Sequence, residues 1–184
     1  MLNSNPLYQA IDKQHQQLGE LFVMHQEALL LQNIELAIEI FYSYKSLQVA
    51  HLTFENDTLL PELAKLPETR WPHTLYVHEH NKVRDLLDKN VNALNQTQNL
   101  LKDQSTTPQQ YRRWVIDLFE QQKSLKNVLE HHEQREEQGM LAELFEHLDP
   151  ARVTRLAEGL EAFTQPELDI VFSKSASWLK QLNG

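Results

Sequence analysis

One segment occurs twice in this chain, and the repeat limits what the chain can fold into. His51-Leu-Thr-Phe-Glu55, running on to Leu59-Leu60-Pro61-Glu62-Leu63, is matched at one constant offset by His132-Glu-Gln-Arg-Glu136, running on to Met140-Leu141-Ala142-Glu143-Leu144. The copies share His, Glu, Leu, Glu and Leu, and in each the first His and Glu stand four residues apart. On a helix such positions lie about 40° apart around the axis and roughly 6 Å apart along it, so both side chains leave one face. Each copy is therefore a two-tooth ligand for a metal ion. His15, in helical sequence before the first copy, and His80, in helical sequence before the second, complete a set of one histidine per expected helix.

The rest of the sequence favours helices throughout. Among 184 residues there are only 4 Gly, hydrophobic residues make up 41% and charged residues 23%. Gln, Leu, Glu and Lys are abundant and β-branched runs are missing, which suits an all-α domain with a substantial core. The net charge of -9 leaves no basic stripe to displace counterions, so nucleic acid is not an expected partner. No apolar stretch approaches the roughly 20 residues that span a bilayer, and the first residues lack the basic-then-apolar order of a signal peptide. A cytoplasmic protein without membrane contact is expected. With no cysteine, thiolate zinc sites, iron-sulfur clusters and Cys nucleophiles are excluded. Any metal must be held by nitrogen and oxygen.

Apolar periodicity predicts a first helix from Pro6 to about Gln32, and a second from Asn33 to about Leu66, with Pro61 kinking its last turn or ending the regular helix early. A third runs from about His73 to Lys102. After the loop Asp103–Pro108, a fourth runs to about Leu148, its start marked by Thr107, Pro108 and Gln110 as a capping box. Four long helices with short connections suit an antiparallel up-down four-helix bundle over residues 1–148. Residues 149–184 are expected to form two shorter helices, one capped by Asp149 and one opened by a second capping box, Thr164 to Glu167. This extension would pack on the bundle or serve a dimer surface.

Nine His and 18 Glu give about one chance His-x-x-x-Glu pair, so the count alone says little. Placement says more. Both pairs lie on apolar faces inside a repeat, and two buried carboxylates facing one another would each pay desolvation and also repel. A bound cation removes both penalties. The metal-free alternative is that His15, His51, His80 and His132 neutralise Glu55 and Glu136 as ion pairs, but four histidines at matched levels exceed what charge balance requires.

The order His, His-x-x-x-Glu, Glu-His, His-x-x-x-Glu-Glu, with Leu-Leu-Pro after the first pair, resembles the hemerythrin-like, or HHE cation-binding, domain over about residues 8 to 148. The resemblance implies a four-helix bundle holding two irons, with His15, His51, His80 and His132 as terminal ligands and Glu55 and Glu136 as bridging carboxylates. By symmetry His15 and His51 would serve one iron, His80 and His132 the other. Imidazole and carboxylate also suit manganese, and affinity alone leaves zinc open. The oxygen-carrying members of that family look to have a further histidine one turn before the third-helix ligand; here that position is Tyr76. Tyr76 could ligate iron, hydrogen-bond a ligand or simply pack, and packing is the default.

Other histidines carry less. His78 points away from the face of His80, and His131 faces about 100° from His132, although a helix distortion could let it substitute. His25, His73 and His147 read as surface or helix-end residues. Glu137 reads as a supporting or solvated group. The leading expectation is a di-iron protein that binds a small ligand such as oxygen, nitric oxide or peroxide, for sensing, storage or stress protection, as a monomer or homodimer. A di-iron enzyme that reduces peroxide or nitric oxide or oxidises ferrous iron is the second reading, with no separate acid-base motif to support it. A helical interaction protein with lost or structural metal is the third.

Overall fold

The structure is a computed structural model and describes residues 5–102 and 106–183. Five helical rods, with no strand among the described residues, run through seven α-helices and two π turns. The first rod is α1 (Pro6–Leu30). The second joins α2 (Ile34–Phe54), a π turn (Glu55–Leu59) and α3 (Leu60–Leu63); the third is α4 (His73–Leu101). The fourth joins α5 (Pro108–Arg135), a second π turn (Glu136–Met140) and α6 (Leu141–His147), and the fifth is α7 (Pro150–Leu182). No helix of the described residues is long and apolar enough to cross a membrane. Residues 103–105 of the expected third loop lie outside the described residues.

Local chemistry accounts for the rod ends. Asn5 caps α1, its side-chain oxygen accepting from the Leu7 amide at 2.8 Å, with Pro6 at the first helical position. Gln32 takes a left-handed φ of 61° after α1, and the Asn33 amide reaches back to the Ala28 carbonyl at 2.9 Å. The Thr107–Gln110 capping box forms as the sequence predicts. Asp149 accepts from the Arg152 amide to open α7.

Two features depart from expectation. The second rod ends at Leu63, short of Leu66, and it also widens one turn before Pro61, where the Leu60 amide bonds the Glu55 carbonyl five residues back. Proline is not the cause, because the second copy carries Ala142 at that place and widens identically, Leu141 amide to Glu136 carbonyl. In the second copy a side chain enters the ladder. The Tyr76 hydroxyl donates to the Arg135 carbonyl at 3.2 Å and accepts from the Met140 amide at 3.1 Å, so it stands between groups five residues apart. Gly139 makes room for it: a Cβ there would meet the Tyr76 hydroxyl at 2.7 Å and the Trp71 ring at 2.6 Å.

The second departure is α7, which is one helix and not two. The expected capping box does not form because both halves are engaged elsewhere. Thr164 turns its hydroxyl back to the Leu160 carbonyl and accepts from Gln14, while Glu167 accepts from the Ser46 hydroxyl at 2.6 Å. Pro166 is carried inside the helix. Its missing amide bond costs stability, and the packing of Leu168 and Trp178 into the main core offsets that cost.

α1 packs on α2 and α7, α2 on α4 and α7, and α4 on α5. α5 meets α1 through Tyr111, whose hydroxyl donates to the Leu29 carbonyl, and through Gln122. Two buried apolar clusters result. One gathers residues such as Leu21, Phe41, Leu47, Leu87 and Leu125; the other gathers Leu7, Ile11, Leu59, Tyr76, Met140 and Leu160. Along the first, third and fourth rods His15, His80 and His132 fall in the interval between these clusters, and on the second rod His51 and Glu55 stand where the two clusters meet.

Candidate metal centre

The six residues picked from the sequence come together in that interval. Glu55, His51, His80 and Glu136 are fully buried and His132 is 1% exposed, while the His15 side chain keeps 11%. The i, i+4 spacing does what helical geometry requires: His51 Nε2 lies 3.2 Å from Glu55 Oε1, and His132 Nε2 lies 2.8 Å from Glu136 Oε1. The remaining contacts cross between rods. His80 Nε2 stands 3.2 Å from Glu55 Oε2, His15 Nε2 stands 3.3 Å from Glu136 Oε2, and the Nε2 atoms of His15 and His51 are 3.2 Å apart.

The carboxylates thus divide their oxygens. Glu55 turns Oε1 to His51 and Oε2 to His80; Glu136 turns Oε1 to His132 and Oε2 to His15. Each spans the two histidine pairs, His15 with His51 and His80 with His132. Two groups of donors have their atoms within 4.8 Å of one another, Glu55, His80, His132 and Glu136 in one and His15, His51 and Glu136 in the other. These groups could hold a metal ion.

These atoms lie within ion-pair distance of one another, yet their hydrogen bonding is incomplete. Both oxygens of Glu55, both of Glu136, and Nε2 of His80 and His132 have no hydrogen-bond partner although they are buried. The nitrogen-oxygen distances are short, but the atoms are not aimed along one another's bonding directions. Ligands around a shared ion behave this way: two donors roughly 2.1 Å from one ion and at right angles stand about 3.0 Å apart. Buried polar atoms left unpaired cost about 1–3 kcal/mol each, so a convergent set of them calls for a partner that coordinates all at once. The donor set of imidazole and carboxylate fits a divalent transition metal.

The outward ring nitrogens, in contrast, are well held. His51 Nδ1 meets Gln14 Oε1 at 2.8 Å, His80 Nδ1 meets Asn56 Oδ1 at 2.9 Å, and His132 Nδ1 meets Glu79 Oε2 at 3.2 Å. A proton on Nδ1 in each ring leaves the Nε2 lone pair facing inward, as metal ligation requires. Glu79 is itself fixed by the Arg135 guanidinium, and Gln14 donates to Thr164 Oγ1 at 2.5 Å. Among the described residues, His15 Nδ1 has no such partner.

Electrostatics show the strain of the cluster without a cation. Burial and the Glu55 charge push the Glu136 carboxyl up to about 8. Burial acts on Glu55 too, but His51, His132 and His80 outweigh it and hold Glu55 well below the ordinary range. Burial would lower His132, yet Glu136 carries it well above the usual imidazole value. His15 is driven down to about 3, by burial first and then by His51.

Sequence reasoning missed the supporting groups. Gln14, Asn56 and Glu79 each follow or precede a ligand of their own rod, so they read as pointing off the ligand face; each serves a histidine of the neighbouring rod. It also misplaced His25, expected at the surface. His25 is fully buried, with Nδ1 on the Ala37 carbonyl at 2.7 Å and Nε2 against Gln122 at 2.7 Å, a satisfied link between α1, α2 and α5. His78 and His131 are exposed and take no part. Tyr76 has its hydroxyl engaged by backbone, and Glu137 accepts from the Tyr8 hydroxyl at 3.4 Å. The chain matches no protein-family model, no curated protein and no solved structure.

Proposed function

We propose that this chain is a hemerythrin-like protein whose first four rods form a four-helix bundle around two irons and that it binds a small ligand such as oxygen, nitric oxide or peroxide there. The observation that carries this reading is the convergence of orphaned buried donors, Glu55, Glu136, His80 and His132, with the outward nitrogens of the same histidines hydrogen-bonded. In it His15 and His51 hold one ion, His80 and His132 the other, and Glu55 and Glu136 span both. A pair of such ions supplies exchangeable electrons and open coordination positions for a small ligand.

This chain's own residues perform the rest. Gln14, Asn56 and Glu79 fix the rings and tautomers of three histidines. The apolar clusters on either side keep the surroundings dry, which strengthens the bonds to charge within them. Binding is favoured over turnover because, among the described residues, no separate acid-base group joins the six donors; Tyr76, for which packing is the default, has its hydroxyl committed to the Arg135 carbonyl and Met140 amide.

Metal analysis of the purified chain, with its near-ultraviolet and visible spectrum before and after reduction, tests the reading. Two equivalents of iron per chain are expected, with loss of at least one in His51→Ala and in Glu136→Ala. Full loading of both variants would overturn the ligand assignment.

A further inference from the structure

His15 differs from the other five donors in three ways. Its side chain alone keeps appreciable solvent contact, 11%, where the others keep 1% or none. Among the described residues its outward nitrogen has no hydrogen-bond partner, whereas those of His51, His80 and His132 do. And it lines a cleft of about 290 Å³ between α1, α2 and α5, together with Gly19, Tyr44, Gln48, Glu130 and Glu133. The cleft reaches the surface beside Val23, which is 48% exposed. A liquid water occupies roughly 30 Å³, so the cleft admits several molecules of that size.

Gly19 stands one turn beyond His15 on the same face of α1. Nothing comes within 4 Å of a Cβ placed there. This glycine is not required by a turn, a positive φ or a close neighbour, and in mid-helix it is a destabilising choice. Gly19 is exposed, and its missing side chain leaves open space in the cleft that it lines together with His15.

We propose that this cleft is the passage by which molecules the size of dioxygen, nitric oxide or hydrogen peroxide reach the metal pair, on the His15 side, and that Gly19 keeps it open. The proposal rests on the metal-binding reading above. Of the six donors His15 alone lines this cleft, and His51, His80 and His132 keep 1% exposure or none. Gly19 acts on access, not on affinity: a larger residue there changes how fast a ligand arrives and departs, and leaves metal content unchanged.

The test uses the full chain loaded with ferrous iron and follows nitric oxide binding by stopped-flow absorbance in Gly19→Ala, Gly19→Leu and Gly19→Trp. Gly19→Ala is expected to bind within about twofold of the unaltered rate, while Gly19→Trp slows association and dissociation together by about tenfold or more, with Gly19→Leu between them. Iron content and the equilibrium constant for nitric oxide stay the same in all three. Thermal stability rises in Gly19→Ala, because the helix gains from losing glycine. If Gly19→Trp folds poorly, the Leu variant decides the matter alone. Equal rates across the series with iron intact would overturn the passage and spare the metal centre; a chain that takes up no iron would overturn both.

Discussion

Replacing Glu136 with Gln separates a metal centre from a network of ion pairs, because the two assign opposite signs to the same change in metal-free protein. Neither Glu136 oxygen has a hydrogen-bond partner, and the carboxyl is carried from its ordinary 4.5 to about 8. At 1.36 kcal/mol per unit, that displacement sets an upper bound of about 5 kcal/mol on the cost of keeping the group ionised. His132, 2.8 Å away, returns part of it. A net relief of about 1–3 kcal/mol on removing the charge follows, and for a chain of this length that raises the melting temperature of chelator-stripped protein by about 2–12 °C. With metal present the sign reverses. An ion at a hundredfold excess over its dissociation constant stabilises by about 2.7 kcal/mol, and Glu136→Gln forfeits most of that by removing a ligand. Calorimetry of both proteins, with chelator and then with ferrous or manganous ion, gives all four values. If Glu136→Gln lowers the stability of stripped protein by about 3–5 kcal/mol, as removing one partner of a buried ion pair does, the carboxylate serves the histidines and the reasoning here is wrong.

Three further outcomes are expected. Stripped protein should lose stability as pH rises from about 6.5 toward 8: the raised Glu136 and the raised His132 both bind protons more tightly folded than unfolded, so each contribution is lost on titration through the folded value; below pH 6.5 His15 and His25, lowered by burial to about 3 and about 4, act in the opposite direction; metal-loaded protein should show the reverse slope above pH 6.5, since its ligands must be deprotonated, and urea melts at pH 6.5 and 8 measure both. Thr164→Val keeps the shape of α7 but cuts the tie to Gln14 and so to His51; metal affinity in a competition titration should fall about 10–100-fold with the helical signal unchanged, and unaltered affinity would show the tie to be idle. Gly139→Ala should destabilise by about 1–3 kcal/mol in denaturant melts despite alanine's better helix propensity, because the new methyl meets Trp71 and the Tyr76 hydroxyl.

The helices and the ligands were legible because both rest on periodicity within one chain segment. His51 with Glu55 and His132 with Glu136 share a face by spacing alone, and the Thr107 and Asp149 caps act over three residues. What was not legible depends on neighbours in space. Thr164 and Glu167 spell a capping box, and only the presence of Gln14 and Ser46 opposite them keeps α7 whole. Gln14, Asn56 and Glu79 lie next to ligands in sequence, yet serve rings on other rods, a relation no single-segment pattern contains. The buried His25 likewise owes its place to the Ala37 carbonyl and Gln122.

The wide turn after each carboxylate bears on how this chain tolerates changes of length. A turn closed five residues back stores one residue more than an α turn, so the helix on its far side keeps the phase it would have had without the extra residue. Deleting Thr58, inside the first such turn, should shorten the chain while Leu59, Leu60 and Leu63 still meet the core. The same deletion in the middle of α2 would rotate everything beyond it by about 100° and carry His51 off its face. The second rod therefore has one position where a codon can be lost cheaply, directly beside the residue it can least do without.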